Sequence, residues 1–310
     1  MSDNIIAINA SLIKKFFHKG DVVEICPKKI YECSILRLWD DTTESMQKGS
    51  YFETHAIGGG VEGKQVLDLP RKKLSKTQEE ENRLAEIQGF SLPHIGAKLT
   101  DQIRIDEQIA VFKQECQGRK LNIIQQGQGR NVQLTIYKKI TIDGQVILIK
   151  GTLDIFPARM LVGDEMRLAI IDLKLTKDLT STFGDFCWGK PEYMDHIQPH
   201  MYHELVRDID FSINPHLKEC FSNEDLMDLQ DENFFFVYWV FDYKASPANM
   251  LNPIVTYDKN KKAELYESIR KTNALIEFYN REGWTTAPMA SHCKGCPVRT
   301  CTERNEIQIL

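Results

Sequence analysis

No uninterrupted apolar run in the 310-residue chain approaches the ~18 residues that a membrane-spanning helix needs. Met1 to Ala10 carries Asp3 where a signal peptide would be basic, and no long apolar segment follows, so a cytoplasmic protein without a membrane partner is expected. An excess of basic charge is missing as well: 39 Lys and Arg against 44 Asp and Glu leave a formal net charge of -5. Nothing global draws the chain to nucleic acid, and any such binding needs a local basic groove in an acidic body. Internal repeats and low-complexity tracts are also absent. Apolar residues at 42% and charged residues at 27% are ordinary for a globular protein, whose length allows two domains or one large domain with insertions.

Alternation and turn signals outline an α/β chain. Asn9 to His18 reads as a short helix, and a second helix starts at Pro27 and runs through Tyr31, Ile35 and Leu38. Gly58 to Gly60 end whatever helix carries Glu53 and His55, and residues 65–98 read as a charged, solvated helical insertion. Ile103 to Cys116 favours a helix. Strands are expected at Leu121 to Ile124, Val132 to Ile142, Val146 to Phe156, Leu168 to Leu175 and Phe234 to Tyr243, with Asp143-Gly144 as a tight hairpin turn. Helices at Asp195 to Val206 and Lys261 to Arg281 complete the outline.

Chemistry concentrates in Gly151-Thr-Leu-Asp154 and, eighteen positions later, in Asp172 of Ile170-Ile-Asp-Leu-Lys174. Asp172 and Lys174 stand two apart on a strand and so share a face, while Ile171, Leu173 and Leu175 point into the core. Charges inside an apolar strand are costly unless paired or metal-bound; the bland alternative is an ordinary pair on an edge strand. If Asp154 ends the neighbouring strand, two carboxylates meet one ammonium, which suits a hard divalent cation and a polarised phosphate.

Cys293, Cys296 and Cys301 cluster among the eight cysteines with metal-ligand spacing, and a fourth ligand must come from elsewhere. Cys26, in Cys26-Pro-Lys-Lys-Ile-Tyr31, is the natural candidate, Cys33 its nearest substitute, and His292 an option for zinc. Gly58 to Lys64 has P-loop spacing, but Gln65 stands where Ser or Thr should bind Mg²⁺, so nucleotide binding is not expected.

The strand-end Asp154 and the Asp172-x-Lys174 element resemble the PD-(D/E)XK nuclease superfamily. Gln198-x-x-x-Tyr202, one face of a helix, resembles the QxxxY motif of its RecB-like branch, and Gly49-Ser-Tyr-Phe-Glu53 resembles that branch's first motif. His55 has the wrong spacing and reads as a structural histidine. The cysteine pattern resembles the iron-sulfur members of the branch, the AddB-type subunits and the CRISPR-adaptation nucleases, in which a 4Fe-4S cluster staples the domain ends.

The resemblance implies a single RecB-like nuclease domain over residues 1–310: a restriction-endonuclease-like core with a mixed sheet, flanking helices, helical additions and a C-terminal cysteine cluster. Glu53, Asp154 and Asp172 would bind Mg²⁺ or Mn²⁺, Lys174 would hold phosphate or water, and Gln198 and Tyr202 would orient the site. Cys26, Cys293, Cys296 and Cys301 would hold the 4Fe-4S cluster, with zinc as the competing occupant. The implied activity is a metal-dependent, single-strand DNA exonuclease of repair, recombination or phage and mobile-element DNA processing, with a helicase or recombinase as the implied partner. Lys177 and Lys190 are candidate phosphate contacts, and Phe183, Phe186 and Trp188 candidate stacking platforms, each with a plain surface or core role as the alternative. A catalytically inactive DNA-binding scaffold and a zinc-stapled RNA nuclease are the competing readings.

Overall fold

The computed structural model describes residues 6–18, 21–22, 26–58, 68–179, 195–245, 249–285, 293 and 296–301. Phe183, Phe186, Trp188, Lys190 and His292, and most of the P-loop-like segment, lie outside the described residues.

The first helix, α1 (Ala10–Phe16), starts where Asn9 accepts a hydrogen bond from the Leu12 amide at 2.8 Å and buries Leu12, Ile13 and Phe16. Two-residue strands β1 (Phe17–His18) and β2 (Asp21–Val22) follow. Helix α2 (Pro27–Lys29), with Pro27 at its first turn, widens into a π-helical stretch over Ile30–Ile35. Helix α3 (Glu44–Ile57) is capped by Thr43 and ends at Gly58, whose φ of 74° is open to glycine.

The charged insertion is helical only over α4 (Lys76–Ile87), where Ser75 and Gln78 form a capping box and no residue is buried; the rest of its described part is irregular. Helix α5 (Thr100–Gly118) buries Ile105, Ile109 and Phe112. The expected strand at Leu121 to Ile124 does not form. Asn131 takes the place of a strand neighbour there, accepting from the Ile124 amide and donating to the Asn122 carbonyl, each at 2.8 Å.

Strands β3 (Val132–Ile142), β4 (Gln145–Val162) and β5 (Glu165–Thr176) form an antiparallel meander. Asp143 and Gly144, with φ of 51° and 80°, make the tight turn expected of them. Both strands run further than expected, β4 past Phe156 to Val162 and β5 from Glu165, turning around Gly163; Pro157, which cannot donate to the ladder, interrupts the strand pattern at Phe156. The chain then crosses by α6 (Ile197–Val206) and α7 (Asn223–Gln230) to β6 (Phe234–Asp242), which pairs parallel with β5 and antiparallel with β7 (Asn249–Leu251) and β8 (Ile254–Val255). Every residue of β6 is buried, which accounts for its unbroken apolar sequence. Helix α8 (Lys259–Glu282) follows.

The six-stranded mixed sheet is therefore flanked on both faces. One face packs against α1, α6 and α8 through residues such as Phe16, Met201, Leu205 and Ile269. The other packs against α3 and α5 through Phe52, Ile57, Ile105 and Phe112.

Candidate active site

Asp172 lies on β5 between Ile171 and Leu173, which face the α3 and α5 layer, so its carboxylate faces α6. It is 1% exposed, and one oxygen accepts from Gln198 Nε2 at 2.6 Å while the other is ion-paired with Lys174. Gln198 stands in the first turn of α6, where Asp195 accepts from the Ile197 and Gln198 amides at 3.0 and 3.4 Å. One turn on, the Tyr202 hydroxyl donates to the Thr152 carbonyl of β4 at 2.8 Å and accepts from Gln198 at 3.1 Å. The helix can sit this close because residue 151 is glycine: a Cβ there would come within 2.6 Å of Leu205 Cδ1 and 2.8 Å of Tyr202 Cε1.

Asp154 is also buried, and its Oδ2 accepts from the Leu173 amide at 2.8 Å. Its Oδ1 accepts from Gln133 Nε2 at 3.3 Å, and the same amide donates to Glu53 on α3. Glu53, Asp154, Asp172, Lys174, Gln198 and Tyr202 thus belong to one group, gathered from α3, two strands and α6. Gln133 joins it without having been expected. Its pattern, a polar residue between Val132 and Leu134, is that of any half-exposed strand.

Electrostatics reflect the crowding. Burial, then the Glu53 and Asp172 carboxylates, push the Asp154 carboxyl well above the ordinary range, against Lys174 and the Leu173 amide. Burial also raises Asp172, with Lys174 opposing. Burial alone would lower Lys174, but Asp172 and Asp154 outweigh it and hold the ammonium above the usual lysine range. The Lys174 side chain is still 28% exposed, so it can meet a substrate. Burial, followed by Asp172 and Asp154, keeps the Tyr202 phenol well above its normal value.

Three carboxylates are hard oxygen donors of the kind Mg²⁺ and Mn²⁺ take, so the donor chemistry fits such a cation. Among the described residues no three His, Cys, Asp or Glu side chains already stand in a clasp around one point. Here Gln133 engages Glu53 and Asp154, and Lys174 engages Asp172. His55 takes no part: its Nδ1 lies 2.8 Å from the Tyr51 carbonyl, and its ring packs on Tyr51.

Of the cysteines, Cys33 and Cys301 pack around Val298 with Cys296 at the edge, while Cys26 stands just before the first turn of α2 without a side-chain cap bond and the Cys296 amide donates to the Cys293 carbonyl at 3.1 Å. Cys33 is buried, and its neighbours are the C-terminal cysteines. Burial pushes its thiol up to about 11, with Asp41 and Cys296 adding to the effect. Protein contacts already join the two ends. Glu32 accepts from Thr300 Oγ1 at 3.0 Å, and the Lys28 amide donates to the Thr285 carbonyl at 3.2 Å.

No family model and no curated protein matches the sequence. Among solved structures, the chain is similar to a "Putative exonuclease" from Eubacterium rectale, at 15% identity and a TM-score of 0.48, over 97% of this chain and 87% of the other. It is also similar to the crystal structure of SSO0001, at 12% identity and a TM-score of 0.29, over 95% of each chain.

Proposed function

We propose that the chain is a metal-dependent deoxyribonuclease of the PD-(D/E)XK type, in its RecB-like branch, and that it degrades single-stranded DNA from an end. The observation that carries this reading is the convergence of Asp154, Asp172, Lys174, Gln198 and Tyr202 into one buried, hydrogen-bonded group, with Glu53 attached through Gln133. Carboxylates gathered away from water repel one another, and nothing in the packing of a plain core calls for them.

Glu53, Asp154 and Asp172 would hold Mg²⁺ or Mn²⁺, which supplies an acidified water and neutralises charge on the phosphate in flight. Lys174, charged and partly exposed, is suited to the scissile phosphate or the attacking water. Gln198 fixes the Asp172 carboxylate before substrate arrives, and Tyr202 ties α6 to β4 so that this geometry holds. Preference for a single strand rests on the family resemblance, and the net charge of -5 discourages a broad duplex-binding face.

Service in DNA repair, recombination or mobile-element processing, alongside a helicase or recombinase, rests on the family resemblance. So does a 4Fe-4S cluster on Cys26, Cys293, Cys296 and Cys301, whose thiolates are fitting soft donors. The test is cleavage of end-labelled single-stranded and duplex DNA with Mg²⁺ or Mn²⁺, with circular single strands as the control. Metal-dependent loss of linear single strands, with circles spared, is expected. Equal cutting of circles would make the enzyme an endonuclease, and no cleavage by the anaerobically purified protein would leave the DNA-binding scaffold.

A further inference from the structure

Gln133 has a left-handed backbone, φ of 51°, although it is neither glycine nor in a turn. Such a conformation is strained for a residue with a Cβ and persists where the surroundings fix it. Its effect is visible in the neighbours. Val132 packs in the core under α3 and α5, whereas Leu134, two residues on, packs in the core under α6. Residues two apart in a regular strand share a face. Their partners on β4 behave the same way, Ile155 on the first face and Leu153 on the second. Gln133 lies between these two pairs, across from Asp154, and is 6% exposed.

At this turnover the single Nε2 group of Gln133 donates to both Asp154 and Glu53. An NH₂ group has two hydrogens, so it can serve two carboxylates without losing either bond. Glu53 belongs to a helix and Asp154 to a strand, and the amide is a hydrogen-bonding link between them.

We propose that Gln133 is a positioning residue for the cation site, holding the Glu53 and Asp154 carboxylates together so that one divalent ion can take both. This rests on the assignment of Glu53 and Asp154 as cation ligands made above. Hydrogen-bond partners of ligating carboxylates set ligand orientation, and their loss usually weakens metal binding about 10- to 100-fold.

The test is calorimetric titration of Mn²⁺ into chelator-treated wild type, Gln133→Leu, Gln133→Gly and Asp154→Ala, with thermal midpoints measured in chelator. The leucine variant keeps the bulk without the donor, and the glycine variant keeps the backbone conformation at no steric cost, so one guards against misfolding of the other. Both Gln133 variants should bind Mn²⁺ about 10- to 100-fold more weakly than wild type, at unchanged stoichiometry. Unchanged Mn²⁺ affinity with a lowered midpoint would overturn the proposal, making Gln133 a brace for the strands alone. Mn²⁺ binding that Asp154→Ala leaves intact, or no binding by wild type, would overturn the ligand assignment itself, and this inference with it.

Discussion

Gln198 Nε2 donates to Asp172 Oδ1 across 2.6 Å, tying the first turn of α6 to the strand beneath it. A hydrogen bond to a buried charge contributes about 1.5–3 kcal/mol, and here it also fixes which way the carboxylate points. Gln198→Ala should therefore lower the single-turnover cleavage rate about 10- to 100-fold. Asp172→Asn and Lys174→Ala should each reduce it to background, because the group works as a unit and an amide is a poor ligand for Mg²⁺. Near-wild-type rates in any of the three would remove these residues from the chemistry.

Gly151→Ala places a methyl group 2.6 Å from Leu205 Cδ1 and 2.8 Å from the Tyr202 ring. Relief requires α6 to lift from β4, at a cost of about 1–3 kcal/mol, as for overpacked cores. Thermal stability and cleavage should fall together, since Gln198 and Tyr202 ride on the same helix. An unshifted midpoint would mean that the helix does not press on β4 this closely.

His203, on α6, stacks on Tyr257 with ring centroids 4.4 Å apart and is held by burial to a pKa of about 4. The unfolded chain protonates this ring near 6.5, so below that pH the unfolded state binds a proton that the folded state refuses. The stability this group protects is complete above pH 6.5 and is lost progressively down to about 4, by roughly 3 kcal/mol for this group. His203→Phe should flatten that part of the stability profile between pH 7 and 4.5, measured by denaturant melts. A gap between wild type and variant that does not change with pH would contradict the assignment.

Anaerobically purified protein should be brown, and Cys26→Ser, Cys293→Ser, Cys296→Ser and Cys301→Ser should each bleach its visible absorbance, while Cys33→Ser keeps it. Iron and zinc analysis of the same preparations separates the two metals. Bleaching by Cys33→Ser with colour retained in Cys26→Ser would move the fourth ligand to Cys33, which packs with Cys301 and lies beside Cys296.

Asp172 and Lys174 are legible in the sequence because charge within an apolar strand is expensive, and Gln198 and Tyr202 because their spacing is one helical turn. Gln133 is not legible. Only its left-handed backbone turns an ordinary alternating polar residue inward, and alternation carries no trace of that. The long strands show clearly for the same reason that β1, β2 and β8, of two residues each, do not: two residues have no period. Leu121 to Ile124 is apolar enough for a strand, but the side chain of Asn131, seven residues after Ile124, answers its hydrogen bonds locally.

Where Val132 and Leu134 part to opposite faces, and Ile155 and Leu153 with them, the β3–β4 pair turns over. A carboxylate from α3 in one layer and an amide from α6 in the other can then meet at a common place while each helix keeps to its own side. Grafting this constellation onto another scaffold would consequently require transplanting the turnover along with the side chains. On a regularly pleated pair of strands, the same six residues would leave either Glu53 or Gln198 stranded behind the sheet.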